Sequence, residues 1–288
     1  MRAKAPASSA NLGPGFDTLA LALALHVEVD VQPAEQLVLR AEGEGSDIPA
    51  DRNHLAVQVV RGVLGHDRVA ITVRSAIPVG RGLGSSASLA VAAAAAAGAD
   101  DPLAVAAAID GHPENAAASV LGGLVTATVV NDHPVAAPLS LDHGLRFVLL
   151  IPSRALPTAR ARQALPGQVP HHDAAFNLGR MGILLAGLAD HRLLVREATE
   201  DRLHQGARTP LFPEAGYLTA GLVDAGALAA CWSGAGPSLL GICTADSASR
   251  VRAAGEGLLA EAGVPGRAVV LDADHEGLVI EESPPIHP

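Results

Sequence analysis

The chain has 288 residues, 49% of them hydrophobic and 17% charged, which is enough for one large domain or two smaller ones with ordinary cores. A formal net charge of −10 without a basic stripe argues against a nucleic-acid partner. Two cysteines without metal-type spacing, no apolar signal-peptide core and no apolar run long enough for a bilayer predict a cytoplasmic protein without a membrane partner.

Predicted strands and helices follow one another in irregular order. In the first half, alternation of apolar and polar residues predicts strands, and helical spacing predicts helices, in the order strand 26–31, strand 37–42, helix 53–64, strand 68–77, helix after 88, helix 102–109 and strand 122–130. In the second half the order is strand 147–151, helices 171–188, 191–199 and 213–224, strands 227–231 and 239–243, helix 246–262, strand 267–272 and a polar, proline-rich tail. This order favours an α+β fold over a doubly wound parallel sheet.

The strongest chemical motif is the run PVGRGLGSSAS from Pro78 to Ser88, which follows a predicted strand and opens an alanine-rich helix. Glycines at alternate positions let a ligand approach the backbone closely, and a helix N-terminus offers free N–H groups to an anion. The lysine of the Walker A motif is missing, and Ser85 stands where a dinucleotide-binding loop needs its third glycine. The run therefore predicts a phosphate-binding loop of another type.

Two other glycine-rich runs, SSANLGPGFD at 8–17 and SGAGPS at 233–238, would each be predicted as a turn on its own. In this order and at this spacing, the three runs resemble the three motifs of the GHMP kinases, and the resemblance covers nearly the whole chain. Two further stretches, GHPEN at 111–115 and PTARAR at 157–162, are similar to segments of the family members that phosphorylate L-homoserine.

The resemblance implies a two-domain α+β fold of the GHMP kinase type. Residues 1–145 would form an ATP-binding N-terminal domain like domain 2 of ribosomal protein S5, and residues 146–288 a ferredoxin-like C-terminal domain. ATP and Mg²⁺ are the implied cofactors, and L-homoserine is the implied substrate, phosphorylated on its side-chain hydroxyl as a step of threonine biosynthesis. A homodimer is also implied.

The resemblance assigns a nucleotide site and a metal site. ATP would be contacted by Asn53 and by the phosphate loop, comprising Pro78, Val79, Gly80, Arg81, Gly82, Leu83, Gly84, Ser85, Ser86, Ala87 and Ser88. Ser86 and Asp110 would hold Mg²⁺, which usually needs a carboxylate. Asp110 stands where related sequences often have glutamate, and Glu114 is the alternative metal ligand.

The resemblance also assigns a substrate site. Arg162 and Arg208 would bind the substrate carboxylate, for which a guanidinium fork is suited, and Asp17 would bind its ammonium group. Thr158 belongs to the same substrate set. Polar groups around the reacting hydroxyl and the γ-phosphate would come from Asn11, His112 and Asn115. Because an amide cannot usefully accept a proton, Asn115 predicts catalysis by approximation and electrostatics, without a carboxylate base.

Two alternatives remain open at the level of sequence. The first is a GHMP kinase for another small alcohol, such as mevalonate, although Asp17 with Arg162 and Arg208 favours an amino acid. The second is a non-catalytic relative that senses a nucleotide or an amino acid. The intact phosphate loop argues against a sensor, whereas aspartate at position 110 leaves room for it.

Overall fold

The computed structural model describes residues 1–282, so residues 283–288 of the predicted tail lie outside the described part. The strands are β1 Arg2–Asn11, β2 Gly15–Pro33, β3 Val38–Gly43, β4 Val69–Ser75, β5 Leu124–Val130, β6 His133–Leu139, β7 Leu145–Pro152, β8 Ala229–Trp232, β9 Leu239–Thr244, β10 Gly266–Leu271 and β11 Val279–Glu281. The α-helices are α1 Leu55–Leu64, α2 Ser85–Ala96, α3 Pro102–Asp110, α4 Glu114–Leu121, α5 Thr158–Gln163, α6 His171–Ala189, α7 Gln205–Arg208, α8 Ala215–Asp224 and α9 Ala245–Glu261. Short 3₁₀ helices span His191–Leu193, Arg196–Thr199 and Thr209–Leu211.

The strands form two sheets. The larger sheet has the order β11-β1-β2-β4-β3. Strand β5 pairs with the N-terminal half of β2, and β6 pairs with β5. Its β3–β4 pair is parallel, and its other pairs are antiparallel. The smaller sheet is antiparallel, with the order β10-β7-β9-β8. Helix α2 packs on β1 and β2, whereas α9 packs on the smaller sheet.

Strand β7 contributes to the core through both of its faces. Phe147 and Leu149 join the large cluster that also contains the apolar residues of β1, β2 and α2. Val148 and Leu150 point the other way, into the cluster beneath α8 and α9. Because side chains alternate across a strand, β7 lies between the two clusters and connects the smaller sheet to the larger one.

The α+β fold predicted from the sequence is confirmed. The division at 145/146 stays a prediction: β7 opens the smaller sheet there, and β11 returns to pair with β1 in the larger one. The helix predicted at 191–199 is wrong, because the backbone is extended at Leu194 and Val195 and separates two 3₁₀ turns. Of the helices within residues 1–282, none is both long and apolar enough to span a bilayer.

Candidate active site

A cavity of about 700 Å³ contains nearly all the predicted site residues. It is lined by the phosphate loop, the start of α2, the β1–β2 turn, the α3–α4 junction, α5 and the turn before β9. Pro78 and Ser88 are the two predicted residues that do not line it. The Ser88 hydroxyl is buried and donates to the Pro6 carbonyl at 2.7 Å, so it supports the helix from behind.

The phosphate loop requires its glycines. Gly80, Gly82 and Gly84 have φ values of 68°, 72° and 65°, in the left-handed region that side chains disfavour. A Cβ on Gly82 would lie 2.2 Å from the Ser233 carbonyl oxygen, and one on Gly84 would lie 2.0 Å from Ser8 Oγ. No side chain caps the N-terminus of α2, so the N–H groups of its first turn remain available to an anion.

Arg81 lines the cavity, and its guanidinium is held by backbone carbonyls. Its guanidinium donates to the carbonyls of Pro152, Val79 and Ser153, and therefore ties the phosphate loop to the end of β7. These bonds engage the guanidinium, so a contact of Arg81 with ATP through its backbone stays a prediction. The loop is thus anchored to the smaller sheet by an arginine whose charge is already solvated by carbonyls.

Acidic groups gather where α3 meets α4. Ser86 Oγ donates to Asp110 at 3.1 Å, and burial raises the pKa of Asp110 although this hydrogen bond opposes the shift. Glu114 Oε1 lies 2.8 Å from His112 Nδ1 and accepts from the Asn115 amide at 3.1 Å. Burial lowers the pKa of His112, but contact with Glu114 outweighs it and the net shift is upward.

These carboxylates suit a hard divalent cation. Glu114 Oε2 is buried and has no hydrogen-bond partner among residues 1–282, which is costly unless a ligand satisfies it. Ligand atoms of Asp17, His112 and Glu114 lie within 4.8 Å of one another. Asp110 lies beside Ser86, so carboxylate and hydroxyl oxygens of the kind that Mg²⁺ prefers meet at the start of α2.

The β1–β2 turn positions Asp17. Asn11 has a φ of 70°, and its amide accepts from the Asp17 backbone N–H at 3.1 Å while donating to the Gly234 carbonyl at 2.9 Å. The Asp17 carboxylate receives both Arg162 Nη atoms, at 2.7 and 3.1 Å. Burial lowers the pKa of Arg162, but the bonds to Asp17 outweigh it and the pKa is raised.

Arg208 is a buried cation at the cavity wall, only 2% exposed. Its Nη1 donates to the Gly234 carbonyl and to His204 Nδ1, both at 3.0 Å, and its Nε donates to the Ala161 carbonyl at 3.3 Å. Nη2 has no hydrogen-bond partner in the described part of the chain. Burial and the charge of Arg162 lower the pKa of Arg208 to about 10, so it remains a cation at neutral pH.

Sequence reasoning missed the apolar part of the cavity lining. Ile48, Leu55, Leu89 and Ile109 line the same cavity as the predicted Asn53, and apolar walls are typical of small-molecule sites. His54 also lines it, as the N-cap of α1, and burial lowers its pKa. The sequence predicts this helix from residue 53, which places His54 inside it and not at its N-cap.

Comparisons with known proteins identify the family of this chain. The family "GHMP kinases N terminal domain" matches residues 53–123, and "GHMP kinases C terminal" matches residues 183–257. The chain belongs to the GHMP kinases, a family of ATP-dependent phosphotransferases.

Within this family, the chain is similar to proteins named homoserine kinase. A homoserine kinase of Thermus thermophilus is 41% identical over 279 residues, covering 92% of this chain and 94% of that protein. A homoserine kinase of Leifsonia xyli is 39% identical, covering 87% of this chain and 83% of that protein. The crystal structure of homoserine kinase from Cytophaga hutchinsonii superposes with a TM-score of 0.84 at 25% identity, covering 97% and 96% of the two chains.

Proposed function

We propose that this chain transfers the γ-phosphoryl group of ATP to the side-chain hydroxyl of L-homoserine, giving ADP and O-phospho-L-homoserine for threonine biosynthesis. The observation that carries the proposal is that one cavity contains the phosphate loop, the ion pair of Asp17 with Arg162, and Arg208. The Nη2 atom of Arg208 has no partner among the described residues and could bind a carboxylate. Relatives named homoserine kinase that match over most of their length support the substrate.

The nucleotide would bind with its base against the apolar lining residues and its phosphates at the loop. Backbone N–H groups of the loop and of the first turn of α2 would hold the phosphates, assisted by the positive end of the helix dipole. Asn53 would lie beside the base. Phosphoryl transfer depends mainly on such positioning and on neutralising charge.

Mg²⁺ would be held by Ser86 and Asp110, with Glu114 as a further oxygen ligand. The unsatisfied Glu114 Oε2 supports its inclusion, and the bond from Ser86 to Asp110 supports the pair predicted from the sequence. When bound, the ion supplies positive charge that neutralises the phosphate oxygens.

The amino acid would bind opposite the phosphate loop. Arg208 is our first choice for the substrate carboxylate, because its Nη2 edge is unpaired whereas the Arg162 fork is engaged by Asp17. Asp17 would accept the ammonium group, and Arg162 would keep that carboxylate ionised and oriented. Thr158 opens α5 at the cavity wall and would contact the same substrate.

The hydroxyl oxygen would attack the γ-phosphorus as the bond to the β–γ bridging oxygen breaks, with the proton leaving to a phosphate oxygen or to water. Asn115 cannot act as the base, since an amide is too weakly basic to take the proton, and its oxygen and nitrogen are already engaged by Ser8 and Glu114. Asn11 and His112 would supply polar surroundings and charge near the transferred group. The site would therefore work by approximation and electrostatics.

The assay that tests this function follows ADP release with Mg·ATP and L-homoserine beside L-serine, L-threonine and mevalonate. We expect release that depends on L-homoserine, with O-phospho-L-homoserine as the product. Turnover of mevalonate alone would move the proposal to another alcohol, and ATP binding without turnover of any alcohol would favour a sensor.

We further propose that the active form is a cytoplasmic homodimer with a domain boundary near 145/146. The resemblance to the family supports this. Sedimentation velocity of the full chain should give about twice the 29.1 kDa mass of the monomer, and a monomer at assay concentration would contradict the proposal.

A further inference from the structure

His204 is a buried histidine to which the proposed mechanism gives no part. Its side chain is fully buried, and it lies one turn before Arg208. Nε2 is 2.8 Å from the Gly13 carbonyl oxygen, and Nδ1 is 3.0 Å from Arg208 Nη1. A carbonyl can only accept and a guanidinium can only donate, so the ring must carry its proton on Nε2 and leave Nδ1 bare. The contacts thus define one neutral tautomer.

The surroundings of the ring favour this neutral form. Burial, followed by the charge of Arg208, lowers the pKa of His204 to about 4, although the carboxylates of Asp201 and Asp17 oppose the shift. Asp201 Oδ2 lies 3.6 Å from Nε2, but its carboxylate is already engaged. It accepts from the Asn177 amide and from the backbone N–H groups of residues 203, 204 and 205, which fixes the turn that carries His204.

These contacts determine which part of Arg208 faces the cavity. His204 and the Gly234 carbonyl both engage Nη1, and the Ala161 carbonyl engages Nε. The His204 ring is itself held by stacking on Phe16, with centroids 5.2 Å apart and planes 26° apart. A guanidinium fixed at two of its three nitrogens cannot rotate freely, so Nη2 remains the atom offered to a ligand.

We propose that His204 is a positioning residue that fixes the guanidinium of Arg208, so that its Nη2 edge meets the substrate carboxylate and selects substrates that carry one. The inference rests on the proposed function, because it assumes a carboxylate at Arg208. A guanidinium fixed in this way forms a charge-assisted hydrogen bond with a carboxylate, which is stronger than the bond it could form with a neutral group.

Two variants separate this role from a merely structural one. In H204N the amide reaches about as far as Nδ1 and can still accept from Arg208, whereas in H204Q it reaches about as far as Nε2 and can still donate to Gly13. We expect H204Q to raise the KM for L-homoserine by about ten- to a hundredfold and H204N by much less, with little change in the KM for ATP. H204Q should also lower the preference for L-homoserine over 3-aminopropan-1-ol, which lacks the carboxylate.

The outcomes distinguish the two proposals. If the wild-type protein turns over L-homoserine but both variants change KM equally, or only kcat and thermal stability change, the positioning role is refuted and the function stands. If the wild-type protein does not turn over L-homoserine, the proposed function fails first and the role in selecting a carboxylate fails with it.

A spectroscopic measurement on the wild-type protein needs neither substrate nor variants. Long-range ¹H–¹⁵N correlation of the histidine rings should show His204 as the neutral Nε2–H tautomer throughout pH 5.5–8. A ring that titrates near the ordinary histidine pKa of about 6.5, or that carries its proton on Nδ1, would overturn the inference even if both variants failed to fold.

Discussion

Arg208 shows how burial holds a single charged side chain in one orientation. An arginine on the surface would be solvated on all sides, whereas this one is 2% exposed and has carbonyls and an imidazole on two of its three nitrogens. Removing the charge would leave those partners unsatisfied, so a charge-preserving change is the more informative one.

We expect Arg208→Lys to raise the KM for L-homoserine by about ten- to a hundredfold, because an ammonium cannot keep the fixed contacts and also present a free edge. The KM for ATP should change far less. Steady-state kinetics with each substrate varied in turn will measure both. Arg160→Lys is the matched control on α5, since Arg160 is exposed and does not line the cavity. An equal rise in both KM values would contradict the assignment.

Asn115→Asp tests whether catalysis at this site proceeds without a carboxylate base. The new carboxylate would lie about 3.1 Å from Glu114 Oε1, where the amide now donates, and like charges at that distance repel. We expect the free energy of unfolding to fall by about 1–3 kcal/mol and the rate at neutral pH not to rise. Urea unfolding and initial rates will show this, with Asn131→Asp at the exposed β5–β6 turn as the control. A large rate gain would contradict catalysis without a base.

From the residues alone, a site could be predicted only where the motif is local, and residues such as Arg208 came from the resemblance to the family. The phosphate loop is recognisable from its own residues, because alternate glycines and a following helix imply its chemistry. His204 and the orphaned Glu114 Oε2 could not be predicted, since their roles depend on what surrounds them after folding. The guanidinium of Arg81 is engaged by carbonyls of β7 and the following loop, which the sequence did not indicate, and its predicted contact with ATP stays a prediction.

At the scale of elements, the short-range pattern was informative for half-buried strands and poor for fully buried ones. Buried and half-buried residues alternate along β4, and the sequence predicts this strand. Most of β1 is buried on both faces and built from small residues, so its sequence shows no alternation of apolar and polar residues. The 3₁₀ segments after α6 were predicted as one helix because their apolar spacing is helical. Asp190 caps the first 3₁₀ turn, and the extended residues Leu194 and Val195 prevent one continuous helix.

The phosphate loop depends on having no side chain at Gly82. We expect Gly82→Ala to weaken ATP binding at least tenfold and to lower the melting temperature, because the new Cβ would meet the Ser233 carbonyl oxygen at 2.2 Å on a backbone with positive φ. Calorimetric titration with a non-hydrolysable ATP analogue will measure the affinity. Gly257→Ala in α9 is the control: nothing lies within 4 Å of its Cβ, and it should stabilise by about 0.5–1 kcal/mol. Normal nucleotide affinity in the Gly82 variant would contradict the assigned loop.

At the scale of the whole molecule, the segment between β10 and β11 crosses from one sheet to the other. Asp274 anchors it: one oxygen lies 2.7 Å from His26 Nε2, and the other accepts from the N–H groups of Glu276 and Gly277. Burial raises the pKa of Asp274, but these hydrogen bonds outweigh it and the net shift is downward. The ionised form is therefore the one that the fold stabilises.

We expect Asp274→Asn to lower the free energy of unfolding by about 1–3 kcal/mol at pH 6–7. Because the folded pKa is below the unfolded value, the ionised carboxylate stabilises the fold above pH 3.8, and this advantage over the variant disappears as the pH falls through the folded pKa. Urea unfolding at several pH values will test the trend. Asp272→Asn, which breaks an exposed pair with Arg146, should cost at most about 1 kcal/mol. A difference that grows in acid would contradict the sign.

The turn before β9 connects the phosphate loop to residues that we propose bind the amino acid. Ser233 Oγ holds the phosphate loop at the Gly82 carbonyl, and the next residue, Gly234, offers its carbonyl to both Asn11 and Arg208. By thermodynamic reciprocity, the factor by which an ATP analogue changes the affinity for L-homoserine must equal the factor in the other direction. We expect a factor different from one that moves towards one in Ser233→Ala, measured by titrating each ligand with and without the other. If neither ligand changes the affinity of the wild-type protein for the other, the coupling through this turn is contradicted.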